Sequence, residues 1–211
     1  MRKYISRFHY LTQDLNDKSH VTQVQTACAA GANWIQYRCL SKSDEELLNE
    51  INIISGICDD WGATLIVTDH VHLLHSADLQ GVHIEDMSAD FVALRREIGE
   101  EKTLGASANT IADIRRIWAS GVVDYIGCGP LRITHTKPND YPLLGLDGYK
   151  EVVKVMNDEG IDIPLIAVGG VSISDVGSLL EAGVYGVAVS AAVNLSEDPA
   201  RALKEIYKQL Y

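Results

Sequence analysis

Eight short apolar runs, rich in β-branched residues, recur along this chain, and stretches with helical spacing separate them. The runs are His9-Tyr-Leu-Thr12, Trp34-Ile-Gln-Tyr-Arg38, Thr64-Leu-Ile-Val-Thr68, Gly81-Val-His-Ile84, Thr103-Leu-Gly-Ala-Ser107, Tyr125-Ile-Gly-Cys128, Pro164-Leu-Ile-Ala-Val168 and Gly186-Val-Ala-Val-Ser190. Strands that alternate with helices pair in parallel, because a parallel connection needs a crossover long enough to hold a helix. Eight such units in 211 residues suit a closed (β/α)8 TIM barrel, and one barrel over residues 1–211 is the expected domain organisation. A doubly wound open sheet would show five or six strands, and a dinucleotide site would place G-x-G-x-x-G after the first strand. Here the first strand runs into Gln13-Asp14-Leu15, with no glycine.

The intervening segments carry helix signals. Ser43-Asp-Glu-Glu has a capping serine and an acidic first turn, and Leu47, Ile51, Ile54 and Ile57 follow at helical spacing. Ser172 to Gly183 starts on a serine and stops on a glycine, and Pro199 sits where a last helix would have its first residue.

Charge narrows the partners. A net charge of −11 argues against nucleic acid, which needs a basic face, while a few local cations still suffice for a small phosphorylated ligand. Arg38, Arg132 and Lys137 are the candidates. No apolar run approaches the roughly 18 residues of a membrane span. The start, Met1-Arg-Lys-Tyr-Ile-Ser-Arg-Phe-His, lacks the apolar region of a signal peptide. Cys28, Cys39, Cys58 and Cys128 form no Cys-x-x-Cys pair and read as buried, reduced thiols. A cytoplasmic location is therefore expected, and a homo-oligomer is left open.

A barrel places its chemistry at the C-terminal ends of the strands. Gln36 and Arg38, two apart on one strand, share a face. Arg38 awaits an anion there and Gln36 a heterocycle, or an internal ion pair fills the barrel centre. Asp69 ends the third strand, and Glu85-Asp86 follow the fourth; these carboxylates can share a divalent cation or act as helix caps. His83 reads as a hydrogen-bonded core residue. Gly169-Gly170 and Val189-Ser190-Ala191 end the seventh and eighth strands, where barrels build phosphate cradles from backbone N–H groups. The segment from Pro130 to Leu144 is long against usual loops of about four to six residues. Its Thr134-His135-Thr136-Lys137 suits a movable phosphate-gripping flap, or else a polar surface loop.

Along nearly its whole length the chain resembles the thiamine phosphate synthase family. The pieces that carry the resemblance are Gln36-Tyr37-Arg38, Thr68-Asp69, Gly81-Val82-His83-Ile84 with Glu85-Asp86, Gly105-Ala106-Ser107, Asp124 to Pro130, Thr134 to Pro138, Ala167 to Val171 and Gly186 to Ser190. The resemblance implies a barrel transferase that joins hydroxymethylpyrimidine diphosphate to thiazole phosphate and releases diphosphate. By this resemblance Arg38 and Lys137 hold the diphosphate, and Ser107 bonds to it or to the pyrimidine. Gln36 contacts the pyrimidine, with Thr68 counted in the substrate-binding set. Asp69 and Asp86 bind Mg2+. Thr134, Thr136, Gly169, Gly170, Ser190 and Ala191 receive the thiazole phosphate. The implied chemistry is dissociative and needs no protein nucleophile.

The chain also departs from the family pattern. Leu40 stands where a lysine is usual, and Thr68 where asparagine commonly precedes the metal-binding aspartate. The stretch from His83 to Asp86 is about two residues short, and the serine of the eighth strand aligns with Ala191 or, after a one-residue slip, with Ser190. Two alternatives stay open: a thiazole tautomerase, which carries a catalytic histidine where Pro130 stands, and a non-catalytic binder of thiazole phosphate or thiamine phosphate.

Overall fold

The computed structural model describes residues 3–133 and 141–211. Eight parallel strands close into a barrel in sequence order: β1 (Phe8–Leu11), β2 (Trp34–Tyr37), β3 (Thr64–Thr68), β4 (Gly81–Ile84), β5 (Thr103–Ala108), β6 (Tyr125–Cys128), β7 (Leu165–Ala167) and β8 (Gly186–Val189). β8 pairs with β1, Ala188 opposite His9, which completes the closure. All eight expected strands are present. Thr12, Arg38, Val168 and Ser190 lie just beyond the strand ends, where they face the reactive rim.

The helices are α1 (His20–Ala29), α2 (Asp44–Trp61), α3 (Phe91–Ile98), α4 (Ile111–Ala119), α5 (Gly145–Asp158), α6 (Val176–Glu181), α7 (Ala191–Asn194) and α8 (Pro199–Leu210). The β3–β4 crossover departs from the expected pattern: it carries only a 3₁₀ turn, Val71–Leu73. In α2, Ser43 and Glu46 cap each other's backbone N–H groups, a reciprocal bond that satisfies two orphan donors. Its buried face is Leu47, Ile51, Ile54 and Cys58, each fully buried apolar side chain contributing about 1.5–3 kcal/mol. Ile57 is only half-buried, because one further residue turns it off that face. Before Pro199, the Asp198 carboxylate accepts from Arg201 N.

Two apolar clusters follow from this geometry. The larger lies between sheet and helices. The smaller fills the barrel interior with Ile5, Trp34, Ile66, Tyr125, Ile166 and Ala188. Rings occupy much of that interior. His9 stacks on Trp34 at 4.5 Å and meets Tyr125 edge-on at 4.8 Å, while His83 stacks on Tyr125 at 5.4 Å. Gly105 makes room for this arrangement: a Cβ there would lie 2.2 Å from the Tyr125 ring. All four cysteines are free and buried, and no helix among the described residues is long and apolar enough to cross a membrane.

Candidate active site

A cavity of about 200 Å3 opens at the C-terminal ends of the strands. His9, His83 and Tyr125 reach its floor from the ring-filled interior; Gln36, Arg38, Ser107, Gly169, Gly170, Ser190 and Ala191 line it higher up. Residues from β2, β5 and the ends of β7 and β8 thus meet in one space. Ser190 and Ala191 both line it, so either alignment of the eighth-strand serine keeps a residue in the site.

Gln36 is buried and donates to Thr68 Oγ1 at 2.9 Å. Thr68 therefore orients the amide from behind. The Arg38 backbone N–H donates to Thr12 Oγ1 at 2.9 Å, and its guanidinium donates to Glu85 from Nε at 2.9 Å and from Nη2 at 3.5 Å. Arg38 thus forms an ion pair with Glu85 at the rim of the cavity, while apolar side chains fill the barrel centre. An anion that binds Arg38 must share it with Glu85.

Asp69 is the one described non-glycine residue with positive φ, 62°, a conformation that aspartate tolerates better than most side chains. Its N–H donates to His83 O at 3.0 Å, and its Oδ1 accepts from Glu85 N at 2.7 Å. Asp69 is exposed, yet its carboxylate ties the end of β3 to the residue that pairs with Arg38. Asp86 is exposed, does not line the cavity, and accepts from the Ser88 N–H at 2.8 Å and hydroxyl at 2.6 Å. Those two bonds hold its carboxyl below the usual range. Asp86 thus closes a local turn on Ser88, whereas the helix that follows is capped by Asp90, and Asp86 does not join Arg38 and Gln36 in the cavity lining.

His83 links two neighbours, with Nδ1 3.1 Å from Tyr125 Oη and Nε2 3.0 Å from Ser107 Oγ. Burial pushes the Tyr125 phenol far above its ordinary range, so it keeps its proton. A phenol donating to Nδ1 leaves Nε2–H to donate to Ser107 Oγ, and the serine's own hydrogen is then free to turn into the cavity.

Across the cavity, Gly169 and Gly170 have φ of 85° and 75°, and a Cβ on Gly170 would lie 2.5 Å from Arg132 Cγ. Arg132 donates to Gly170 O at 3.0 Å and to both Asp175 oxygens at 2.6 and 2.7 Å. Burial alone would raise Asp175, but hydrogen bonds from Arg132 and Ser172 outweigh it and bring its pKa to about 2. Arg132 is thus committed to bracing the glycine turn. Gln13, Asn109, Tyr141 and Met87 also line the cavity and escaped the sequence reading, while Glu85, read there as a cation ligand or cap, lines it as the partner of Arg38. For Glu85 a signal existed, a charged residue just past a strand end. The rest come from loops with no marking pattern. Thr134, Thr136 and Lys137 lie outside the described residues.

The thiamine monophosphate synthase family model matches residues 9–193. A thiamine-phosphate synthase of Phocaeicola vulgatus is 34% identical, with 93% of this chain and 94% of that protein covered. One from Flavobacterium johnsoniae is 31% identical, over 98% and 97%. The solved thiamine phosphate pyrophosphorylase of Pyrococcus furiosus superimposes with a TM-score of 0.83 at 26% identity, over 97% and 95% of the two chains. A match of this length, on a closed barrel with its cavity at the expected rim, shows that the chain belongs to the thiamine monophosphate synthase family, a family of transferases.

Proposed function

We propose that the protein joins hydroxymethylpyrimidine diphosphate to thiazole phosphate, giving thiamine phosphate and diphosphate. The observation that carries this reading is the set of groups that meets in one cavity: an amide, a guanidinium and a hydroxyl from Gln36, Arg38 and Ser107, together with the Gly169-Gly170 turn and the start of α7. Two anionic substrates need polar anchors of this kind around one space where bond transfer occurs.

In this reading Gln36, held by Thr68, orients the pyrimidine. Arg38 takes the leaving diphosphate, aided by Ser107, whose hydroxyl His83 directs. Gly169, Gly170, Ser190 and Ala191 cradle the thiazole phosphate through close backbone approach. For Lys137, Thr134 and Thr136 we carry over the family roles, diphosphate and phosphate contact from the flap. As diphosphate departs, its negative charge grows toward Arg38, and the pyrimidine methylene becomes cationic until the thiazole nitrogen captures it. The protein orients, stabilises charge and excludes water; no side chain forms a covalent bond.

The donors just past β3 and β4 suit Mg2+, since Asp69, Glu85 and Asp86 present only carboxylate oxygens, the ligand type this hard cation takes. Asp69 is the first choice, with Asp86 or Glu85 as its companion, and a bound Mg2+ would neutralise diphosphate charge as a Lewis acid. The setting we propose is the cytoplasm, in keeping with four free, buried thiols.

The test supplies purified protein with both substrates and Mg2+ and follows thiamine phosphate by chromatography. Product formation that falls sharply in Arg38→Ala supports the proposal. Absence of product, with tight binding of thiazole phosphate, would replace it with the binder or the tautomerase. For the tautomerase, however, Pro130 offers no titratable group where that chemistry needs one.

A further inference from the structure

Outside the cavity, the loop after β1, the first residue of α1 and the loop after β2 bring an oxygen, a nitrogen and a sulfur together. We propose that Asp14, His20 and Cys39 form a binding site for a divalent transition metal of the zinc type. One ligand atom from each, a carboxylate oxygen, an imidazole nitrogen and the thiol sulfur, lie within 4.8 Å of one another. Cys39 and His20 are 2% and 4% exposed, while Asp14 is exposed and leaves a route of entry.

The imidazole is the telling group. Its Nδ1 lies 3.1 Å from Glu50 Oε2, and that same oxygen accepts from the Tyr37 hydroxyl at 2.5 Å and pairs with Lys42 Nζ at 2.7 Å. Burial would raise Glu50, but the bonds from Lys42 and Tyr37 outweigh it and keep the carboxylate charged. A carboxylate cannot donate, so the ring hydrogen sits on Nδ1. Nε2 is buried and makes no hydrogen bond, although Asp14 Oδ1 lies 3.2 Å away, off the direction a bond would need. With its hydrogen on Nδ1, the ring keeps an unshared lone pair on the buried Nε2. A cation seated among Nε2, the Asp14 oxygen and the Cys39 sulfur would take that lone pair as a ligand.

The surroundings match a metal site in other respects. A carboxylate behind the non-ligating nitrogen of a histidine is the usual orienting partner of a metal ligand, and here Glu50 fills that place. The other Asp14 oxygen, Oδ2, accepts from Leu40 N at 3.0 Å, which aims Oδ1 inward. Mixed N, O and S donors select zinc-like ions over Mg2+, so this site differs in kind from the oxygen-only carboxylates near Asp69. Binding exchanges the Cys39 thiol proton for the metal–sulfur bond and releases that proton to solvent. Three protein ligands leave a fourth position for water. Cys39 follows Arg38 directly, so occupation would clamp the segment that carries the guanidinium.

The test titrates Co2+ into the full-length, reduced, chelator-treated protein and reads its absorption. One equivalent should produce a sulfur-to-cobalt charge-transfer band that Zn2+ abolishes and excess Mg2+ leaves in place. Cys39→Ser should lose the band, and Cys58→Ser should keep it. Asp14→Asn, exposed and safe for folding, should weaken Zn2+ binding at least tenfold. Absence of the band in the folded wild type, its survival in Cys39→Ser, or undiminished Zn2+ affinity in Asp14→Asn would each overturn the proposal.

Discussion

Acidification should destabilise this barrel well above the pH at which its carboxylates titrate, and His9 gives the reason. The ring is 1% exposed, sandwiched between Trp34 and the edge of Tyr125, and hydrogen-bonded through Nε2 to Ser6 O at 3.0 Å. Burial, reinforced by the proximity of His83, lowers its pKa to about 3, against a smaller opposing effect of the Ser6 bond. In the unfolded chain it titrates near 6.5. Between these values the unfolded state binds the extra proton, so stability is complete above about pH 6.5 and falls as pH drops toward 3. Each unit in that window is worth about 1.4 kcal/mol, so moving from pH 7.5 to pH 5 removes about 2 kcal/mol through His9 alone. That is a large share of a typical total of about 5–15 kcal/mol. Urea unfolding at several pH values, with a constant m-value, measures it. His20, also lowered by burial, adds a slope of the same sign. The diagnostic quantity is therefore the difference between wild type and His9→Phe, which keeps a ring against Trp34 and cannot titrate. Identical pH slopes in the two proteins, or a wild type equally stable at pH 5 and 7.5, would refute the reasoning.

Other perturbations separate scaffold from chemistry. Gly105→Ala drives a Cβ into the Tyr125 ring and should cost about 2–3 kcal/mol, read by calorimetry as a Tm lower by about 5–10 °C; a shift within 1 °C would mean the ring moves freely. Arg38→Ala should lower kcat/KM for the diphosphate substrate by about 100-fold or more in steady-state assays. Ser107→Ala should cut kcat by about tenfold with Tm nearly unchanged, since it removes one hydrogen bond of about 1 kcal/mol; a loss of Tm without loss of rate would make Ser107 structural. The Leu40 side chain is 67% exposed, so Leu40→Lys should leave stability within about 0.5 kcal/mol and lower KM for the diphosphate substrate; an unchanged KM would show that position 40 does not reach the anion.

The barrel was legible because its signal is repeated: eight apolar runs at strand length leave few architectures. The missing β3–β4 helix was not, because Val71, Leu73 and Leu74 have apolar spacing for a turn but too few residues before Gly81 for a helix. Within the site, inward residues two apart, such as Gln36 and Arg38, followed from strand alternation. The Arg38–Glu85 pair did not follow. It joins residues 47 apart, and their meeting depends on the β2–β3–β4 register together with the left-handed turn at Asp69. The turn that Asp86 closes on Ser88 was not legible either, because a turn-closing aspartate and a metal-binding one look alike in sequence. What separates them is the Ser88 N–H, a backbone direction with no residue signature.

The rings in the barrel explain why fold and site cannot be varied independently here. His9 and Tyr125 are at once the packing of the interior and the floor of the cavity. Tyr125 also touches His83, which contacts Ser107, so displacement of one phenol reaches a proposed substrate contact in two steps. The rim is built differently. Arg38, Glu85 and Asp69 hold one another through side-chain bonds, and the Arg38 and Glu85 side chains are only 13% and 18% exposed, so a ligand that displaces Glu85 must supply negative charge in its place. A change to the floor should therefore lower stability and rate together, whereas removal of Arg38 should lower rate most and cost stability through the loss of its pair with Glu85.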